Sequence, residues 1–307
     1  MTGVINVYKE KGYTSFDVVA IIRKLLSKGH KGRIKTGHTG TLDPQAEGVL
    51  PICVGRATKL AGHLTDTGKS YRAELILGIT TDTCDNTGEI LSKSSVNFDI
   101  KKIEEAVMSF SGGYMQVPPM YSALKVNGQR LHELARAGKT VERSPRKVEI
   151  SRIAIIDKDS ANNRLVLDVD CGKGTYIRSL CADIGQKLGC GGCMGDLTRT
   201  KSGGFHIENA LGISDIKQAA EENRWDFLIP VDEAFSASKG ILKTYFKEAV
   251  NGRSVPPAYC SFDKEPSEGG FCWLYAMVNP DEKSLIGLFI MKNGKLKPEV
   301  MIYGNYT

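Results

Sequence analysis

Residues 37–60 read GHTGTLDPQAEGVLPICVGRATKL, a turn rich in glycine followed by an apolar run. The glycines can adopt backbone angles that are closed to other residues, while Pro44 fixes its own φ and pushes Asp43 toward an extended conformation. The apolar run at 49–54 predicts a buried strand, and residues 57–64 predict the start of a helix. An Asp-Pro pair also starts ordinary turns. In this setting, however, the turn holds the Asp43 carboxylate in one direction beside a rigid strand.

Alternating apolar and polar residues predict several strands elsewhere. The alternation at 148–156 and 164–171 predicts an antiparallel pair. The DNTG turn at 85–88 predicts that a strand at 70–78 pairs with residues 89–91.

Helical spacing of apolar residues predicts three longer helices. One begins near Ser15, which we expect to cap it, and the others cover 100–110 and 175–188. Because strands outnumber crossover connections, we expect an α+β fold with a largely antiparallel sheet.

A change in composition near residues 230–240 indicates a domain boundary. After it, short strand-like pieces are separated by the turn-rich segments SVPP, EPSEGG and KNGKLKP. We therefore expect a larger domain at 1–232 and a small β domain at 238–307.

Length and composition favour a chain that stays inside the cell. With 307 residues and 41% hydrophobic content, the chain can bury a sizeable core. It has no run of about 18 apolar residues, which a membrane span requires. Charges also interrupt the N-terminus where a signal peptide needs its apolar centre. We expect a cytoplasmic protein.

The eight cysteines do not form a metal-binding pattern. Cys190 and Cys193 form a single CGGC pair, whereas a zinc site needs a second pair at a suitable spacing. A chain of this size inside the cell does not need disulfides. We expect reduced thiols, and neither a metal nor a cofactor.

The excess positive charge, +6 overall, is concentrated in two windows of the sequence. Residues 18–42 contain six Lys or Arg and no acid, and residues 125–147 contain seven against two acids. Residues 231–307 instead have nine of each sign. Such basic clusters bind polyanions by releasing counterions. A solvated lysine-rich surface is the simpler interpretation of either cluster taken alone.

Several segments of the chain resemble the TruB family of pseudouridine synthases. The resemblance covers roughly residues 3–230, and at 37–60 it extends over more than twenty consecutive positions. The matching segments are GHTGTLDP to GRATK (37–59), KSYRAEL (69–75), TDTCDNTG (81–88), VPPMYSALKVNGQRLHELARAG (117–138), GKGTYIRSL (172–180) and GDLTRTKSGGF (195–205).

This resemblance implies both a fold and an activity. The fold is a pseudouridine synthase core, with a central mixed, largely antiparallel sheet flanked by helices, followed by a small PUA-like domain that binds RNA. The activity is the isomerisation of uridine to pseudouridine at position 55 in the T-loop of tRNA, after the base has flipped out. The implied enzyme is a monomer that needs no cofactor, metal or obligate protein partner.

The chemistry of this reaction gives Asp43 a role. Pseudouridine formation breaks the bond between ribose and N1 of uracil, turns the freed base, and rejoins the sugar through C5 of the ring. A carboxylate beside the sugar either bonds to it or removes a proton from the neighbouring ribose carbon. Both routes require a charged Asp43 in a closed pocket, so a fixed cation is expected nearby. By resemblance that cation is Arg178, in the opening turn of the helix at 175–188.

Three further side chains contact the uracil according to the resemblance. Tyr71 stacks on the base, and its hydroxyl is suited to help remove the proton from C5. Asp85 accepts a hydrogen bond from the ring imide, and Leu197 forms an apolar wall. Each position also has a purely structural interpretation, as a core residue for Tyr71 and Leu197 and as a turn residue for Asp85.

The resemblance also assigns RNA contacts outside the uracil pocket. His38 enters the opened T-loop and offsets part of the few kcal/mol that base flipping costs. Lys9 lies in the family's N-terminal Lys-Pro motif, in which this chain has Glu instead of Pro. A basic insertion at about 124–147 clasps the phosphates of the T-stem and loop, through Lys125 and Arg130 among others.

Three other functions fit parts of the pattern. A guide-dependent member of the same family shares the catalytic segment, but the basic insertion favours direct capture of tRNA. An RNA-folding helper needs no catalytic acid, so it keeps its main activity when Asp43 is replaced. A nucleoside hydrolase needs a second group that activates water, and the motif offers no obvious one, because Glu47, four residues after Asp43, is unplaced by the sequence.

Overall fold

The structure, a computed structural model, describes residues 1–27, 34–122, 124–126, 128–279 and 282–303. The first two thirds of the chain form a nine-stranded sheet and two small two-stranded sheets. The strands of this part are β1 (Gly3–Lys9), β2 (Thr36–His38), β3 (Glu47–Val54), β4 (Lys69–Leu77), β5 (Ile79–Thr81), β6 (Ile90–Lys93), β7 (Gly112–Gln116), β8 (Lys125–Val126), β9 (Gln129–Arg130), β10 (Arg146–Asp159), β11 (Arg164–Cys171), β12 (Gly192–Ser202) and β13 (Phe205–His206).

The nine-stranded sheet has the order β1-β3-β12-β4-β11-β10-β7, with β2 paired to β3 and β13 paired to β12. Its pairs are antiparallel except for the parallel contact between β12 and β3. The predicted pairing of 148–156 with 164–171 is confirmed in β10 and β11, where Ile153 lies opposite Val169. The prediction of an α+β fold with a central mixed, largely antiparallel sheet is therefore confirmed.

Helices cover the sheet, and the three longer ones that the sequence predicts are present. The helix predicted at 57–64 begins as a 3-10 helix, Gly55–Leu60, and continues as an α-helix. No helix among the described residues is long and apolar enough to cross a membrane. The α-helices are α1 (Ser15–Ser27), α2 (Ala61–Thr65), α3 (Ile100–Met108), α4 (Leu131–Arg136), α5 (Ile177–Lys187), α6 (Ile213–Glu221), α7 (Val231–Ala234) and α8 (Phe246–Val250), and further 3-10 helices cover Ile207–Asn209 and Pro257–Tyr259.

The cap of α1 differs from the prediction. Thr14, and not Ser15, caps the helix, because its Oγ1 accepts from Asp17 N at 3.1 Å while the Asp17 carboxylate accepts from Thr14 N at 2.8 Å. Ser15 is buried, and its Oγ donates to Leu42 O at 3.0 Å and accepts from Leu42 N at 2.9 Å. Ser15 therefore joins α1 to the loop that contains Asp43.

The predicted hairpin between 70–78 and 89–91 is wrong. Strand β6 pairs with the short strand β5, whereas β4 lies in the centre of the large sheet between β12 and β11. Both edges of β4 are occupied by strands from distant parts of the sequence, so no edge remains for its neighbour in the chain. The turn at 85–88 thus closes a small separate hairpin.

The last part of the chain forms a second sheet where the small β domain is predicted. Its strands are β14 (Ser238–Leu242), β15 (Cys260–Phe262), β16 (Phe271–Asn279), β17 (Glu282–Lys292) and β18 (Lys295–Met301), in the order β15-β14-β16-β17-β18. Trp273 and Leu288 of this sheet belong to one buried cluster with Val4 of β1 and Val49 of β3. The two sheets therefore share part of their hydrophobic core.

Gly48 is required where β3 passes β12. It lies opposite Arg199 in the parallel pair and has φ +104°, a conformation that side chains rarely adopt. A Cβ at this position would lie 2.3 Å from the carbonyl oxygen of Arg199. The chain therefore needs glycine here to bring the Asp43 turn against the sheet.

We expect Gly48→Ala to lower the free energy of unfolding by about 2–6 kcal/mol, because overpacking and backbone strain each cost about 1–3 kcal/mol. The matched control is Gly252→Ala, at φ +75° with no atom within 4 Å of the added Cβ. The control should lose only the backbone cost, about 1–2 kcal/mol. Urea unfolding measures both, and equal losses would contradict the steric argument.

Candidate active site

A cavity of about 260 Å³ opens beside the Asp43 turn. Its walls come from the loop after β2, the first residues of β4, the segment that leads into α5, and β12. Four of the residues singled out in the sequence come together here from distant positions in the chain. The lining residues are Gly40, Thr41, Leu42, Asp43, Thr65, Lys69, Tyr71, Ser122, Gly172, Lys173, Gly174, Thr175, Tyr176, Ile177, Arg178, Leu197 and Arg199.

Asp43 and Arg178 form an ion pair at the wall of this cavity. Arg178 Nε lies 3.0 Å from Asp43 Oδ2. The Arg178 side chain is only 7% exposed, whereas that of Asp43 is 40% exposed. An ion pair of this length holds the carboxylate in place and leaves part of its surface open to the cavity.

The Arg178 guanidinium is held from several sides. Its Nη2 donates to Tyr121 O at 2.7 Å, and its Nη1 donates to Thr83 O at 3.3 Å. Nη1 also lies 3.7 Å from Asp85 Oδ2. Arg178 is therefore fixed in position and charge while it faces Asp43.

Asp85 lies beside Arg178 and supports the turn around it. Its Oδ1 accepts from Thr83 Oγ1 at 2.8 Å and from Thr87 N at 3.0 Å. Asp85 is not among the described residues that line the cavity. Contact between Asp85 and the uracil edge stays a prediction.

Gln116, which the sequence did not single out, fixes the start of α5. Its side-chain amide donates to Tyr176 O at 3.0 Å and accepts from Tyr176 N at 2.8 Å. In the next turn, Ser179 Oγ donates to Val117 O at 3.0 Å. The end of β7 thus sets the position of the helix turn that carries Arg178. Only the tertiary structure reveals this link, because the two segments are 60 residues apart in the chain.

Tyr71 and Leu197 form the inner wall of the cavity and are 8% and 7% exposed. Tyr71 lies in β4 directly opposite Arg199 of β12. Burial raises the pKa of Tyr71 above its ordinary value, while the charge of Arg199 acts in the opposite direction. The phenol is therefore a neutral ring at physiological pH, suited to stacking.

The structure corrects the expectation that Lys9 contacts substrate. Lys9 has no exposed surface, and its Nζ donates to Tyr13 O at 2.7 Å, Glu10 O at 3.1 Å and Pro44 O at 3.2 Å. Burial lowers the pKa of Lys9 to about 8, against the opposing attraction of Asp43. All three hydrogen bonds of Lys9 Nζ go to backbone carbonyls, and one of these belongs to Pro44, so Lys9 supports the Asp43 turn.

Two buried cations of the cavity wall were missed in the sequence. Arg199 has no exposed surface and is bonded to backbone carbonyls of the Asp43 turn and of β3. Lys69 donates to Thr65 O at 2.9 Å, and burial lowers its pKa. Strand alternation contains a signal for Arg199, since it is two residues after Leu197 and therefore faces the same side.

His38 precedes the cavity wall by two residues and is half-buried. Its Nδ1 accepts from Gly40 N at 3.3 Å, and its ring lies edge-on to Phe16 with centroids 6.5 Å apart. Burial, with a smaller effect from Arg199, lowers the pKa of His38. The imidazole is therefore neutral at physiological pH.

The basic insertion forms the hairpin of β8 and β9 followed by α4. The side chains of Lys125 and Arg130 lie outside the described residues, as do Lys28, Lys31 and Arg33 of the first basic window. Leu131 of α4 is 1% exposed, and Arg143 Nη1 donates to Pro118 O at 3.1 Å. These contacts tether the insertion to the segment beside the cavity.

The described residues contain no group of three or more His, Cys, Asp or Glu side chains that could hold a metal ion. All eight cysteines are free thiols. The groups at the cavity include one partly exposed carboxylate, Asp43, the buried Arg178 guanidinium that pairs with it, and the buried Tyr71 phenol. This set can stabilise positive charge beside a sugar and hold a planar base.

Comparison with known proteins gives consistent results over most of the chain. The family model described as TruB family pseudouridylate synthase (N terminal domain) matches residues 23–177, and that of the tRNA pseudouridylate synthase B C-terminal domain matches residues 178–236. The five-stranded sheet lies beyond both ranges, so its PUA-like character stays a prediction.

Curated relatives and solved structures extend this result. The tRNA pseudouridine synthase B of Alkaliphilus oremlandii (strain OhILAs) is 45% identical over 95% of this chain and 94% of its own length, and that of Clostridium novyi (strain NT) is 50% identical over 77% and 78%. A chain in the crystal structure of a Cbf5-Nop10-Gar1 complex, 27% identical, superposes with a TM-score of 0.70 over 95% of this chain and 79% of that chain. A chain of an H/ACA RNP bound to a substrate RNA containing 2'-deoxyuridine, at 23% identity, has the same fold with a TM-score of 0.71 over 98% and 85%. The cavity brings together Asp43, Tyr71 and Arg178. The matches to the family models and to the curated relatives show that the chain belongs to the TruB family of pseudouridylate synthases.

Proposed function

We propose that this protein isomerises uridine to pseudouridine at position 55 in the T-loop of tRNA, with Asp43 as the essential carboxylate. The observation that carries the proposal is the 3.0 Å ion pair between Arg178 and Asp43 at the wall of a cavity that also contains Tyr71. The name of the curated relatives, tRNA pseudouridine synthase B, supports tRNA as the substrate. The proposed enzyme acts as a monomer in the cytoplasm, without a metal, a cofactor or an obligate protein partner.

The geometry supports two chemical routes. Cleavage of the bond between C1′ and N1 leaves the bonding electrons on uracil and positive charge on the sugar. Asp43 either bonds to C1′ or removes a proton from C2′ that is later returned. In both routes the base turns and C5 bonds to C1′, which breaks any bond that Asp43 has formed there. C5 then loses its proton and N1 gains one, so the product contains the same atoms as the substrate. The Tyr71 ring holds the detached base, and its hydroxyl is the nearest candidate to assist the last proton transfer.

The size of the cavity supports a flipped nucleotide as its occupant. About 260 Å³ is slightly below the roughly 300–1,000 Å³ of sites for drug-sized ligands. A base within a folded T-loop must leave its stack to enter such a space, at a cost of a few kcal/mol. His38, neutral and next to the exposed Phe16 ring, is the planar group that we expect to fill the vacated position.

The proposed function is tested by incubating the purified protein with an unmodified tRNA transcript and mapping pseudouridine by position. We expect product at position 55 and a rate at least about 100-fold lower for Asp43→Asn, with tRNA binding kept within a few-fold. Product only at other positions would refute the assignment to position 55.

The same assay separates the alternatives. An RNA-folding helper would keep its main activity in Asp43→Asn. A hydrolase would release free uracil. Glu47, which the sequence left unplaced, accepts from Thr198 Oγ1 at 3.2 Å and is not among the described lining residues.

The ion pair gives a second prediction. Arg178→Ala leaves Asp43 without its cation, so we expect the single-turnover rate to fall by at least about tenfold, which corresponds to ~1.4 kcal/mol of lost transition-state stabilisation. Arg164→Ala is the matched control, since Arg164 also pairs with a carboxylate, Glu74 at 2.7 Å, but lies on the exposed face of β11. Wild-type rates in Arg178→Ala would exclude the proposed role.

The basic insertion gives a third prediction, for RNA affinity. Lys139 and Lys147 are exposed residues of the insertion, and Lys147 lies at its end. We expect Lys139→Gln with Lys147→Gln to raise the dissociation constant for tRNA. Each lost phosphate contact should reduce the slope of log affinity against log salt by about 1. Lys101→Gln with Lys102→Gln, which removes two exposed charges from α3, is the control. If both double variants bind alike, the insertion does not clasp the RNA.

A further inference from the structure

Arg199 connects three elements of the site from within the core. Its side chain has no exposed surface. Nε donates to Val49 O at 2.7 Å, Nη2 to Gly40 O at 3.1 Å and Nη1 to Thr41 O at 3.4 Å. The guanidinium therefore joins the peptide units just before Asp43 to the strand just after it.

The Arg199 guanidinium has different partners from the Arg178 guanidinium. Arg178 pairs with Asp43 at 3.0 Å and lies 3.7 Å from Asp85. No carboxylate in the described ranges forms an ion pair with Arg199, and its backbone acceptors are neutral carbonyls. A guanidinium stays protonated in proteins, and a buried cation without a counter-ion is costly. Neutral donors could bind the same carbonyls at a smaller cost, so the charge itself needs a reason.

Tyr71 supplies that reason. It lies directly opposite Arg199 in the β4–β12 pair and lines the same cavity. Directly opposed side chains in an antiparallel pair have Cβ atoms about 4.5–5.5 Å apart, close enough to interact. The charged and titratable groups that act on the phenol are Arg199 from β12, Cys171 from β11 and Asp43 from the loop. Of these, Arg199 alone carries positive charge, and it lowers the pKa of Tyr71 against the effect of burial.

We propose that Arg199 is a positioning residue of the reaction, which holds the peptides before Asp43 with its hydrogen bonds and orients the Tyr71 hydroxyl with its charge. This inference deepens the proposed function and rests on it for the role of Tyr71 in the reaction. Arg199 acts through Asp43 and Tyr71, and both effects need a residue that is buried and permanently charged. Lysine retains the charge but not the planar fork of donors, whereas glutamine retains neutral donors without the charge.

Two variants of Arg199 separate these contributions in kinetics. We expect Arg199→Gln to lower the saturated single-turnover rate by about 10- to 100-fold, with the dissociation constant for tRNA changed less than twofold, because the Arg199 side chain has no exposed surface. Arg199→Lys should be at least about tenfold faster than Arg199→Gln. Arg72→Gln is the control, since Arg72 is adjacent to Tyr71 in β4 but faces the opposite side, where it pairs with Asp168 at 2.9 Å.

A spectroscopic measurement tests the contact without using activity. With tyrosine labelled at Cζ with ¹³C, the Tyr71 signal is assigned by its loss in Tyr71→Phe. We expect this signal to shift in Arg199→Gln, to stay near its wild-type position in Arg199→Lys, and to be unchanged in Arg72→Gln.

An unmoved Tyr71 signal, a wild-type rate in Arg199→Gln, or an Arg199→Lys variant no faster than Arg199→Gln would each overturn the proposal. A wild-type protein that forms no pseudouridine at position 55 refutes the proposed function instead. The two failures are distinguishable, because the position of the Tyr71 signal does not depend on turnover.

Discussion

The ion pair between Arg178 and Asp43 is the interaction on which the arrangement of the site depends. It joins a turn near the start of the chain to a helix that begins more than 130 residues later. A buried arginine is costly unless its charge is paired and its donors find acceptors, and Arg178 contacts Asp43, Thr83 O and Tyr121 O. Three segments besides α5 must therefore be in place before the charge is satisfied, and the large sheet brings them together. The contacts that the fold brings together around Arg178 are therefore also the contacts that hold Asp43 in the site.

Local features of the sequence predicted the parts of the fold that depend on local physics. The alternation in β10 and β11, the apolar run of β3 and the helix that carries Arg178 follow from side-chain periodicity within each segment. The partner of β6 was predicted wrongly because residues 70–78 were taken as the other arm of its hairpin, whereas β6 pairs with β5 and β4 pairs with strands some 90 to 130 residues away. Gln116 and Arg199 escaped prediction for the same reason, since their roles are set by contacts across 60 and 150 residues.

Three buried or nearly buried cations surround the Asp43 turn, and the physical role of each follows from its partners. Lys9 meets backbone carbonyls of its own turn and of Pro44, so it supports the loop, and burial lowers its pKa to about 8. Arg178 meets a carboxylate and so pairs with the acid. Arg199 meets carbonyls on either side of the acid and faces a phenol. The resemblance singled out Lys9 and Arg178 by residue type and position, but only the structure distinguishes the support of a loop from the pairing of a charge.

The segment GRATK, which closes the resemblance at 37–59, has a structural explanation at the junction of the two sheets. Arg56 Nη1 donates to Ile302 O, and Lys59 Nζ donates to Met301 O at 3.1 Å, so both side chains bind the end of the last strand through its backbone. Carbonyl acceptors are present whatever residues occupy those positions, so this junction constrains GRATK but not the sequence of its partner. The cluster of Trp273 with Val49 lies in the same junction. The C-terminal sheet thereby packs against β3, the strand that follows Asp43, and stabilises it. This structural contribution to the site is separable from any contact with RNA.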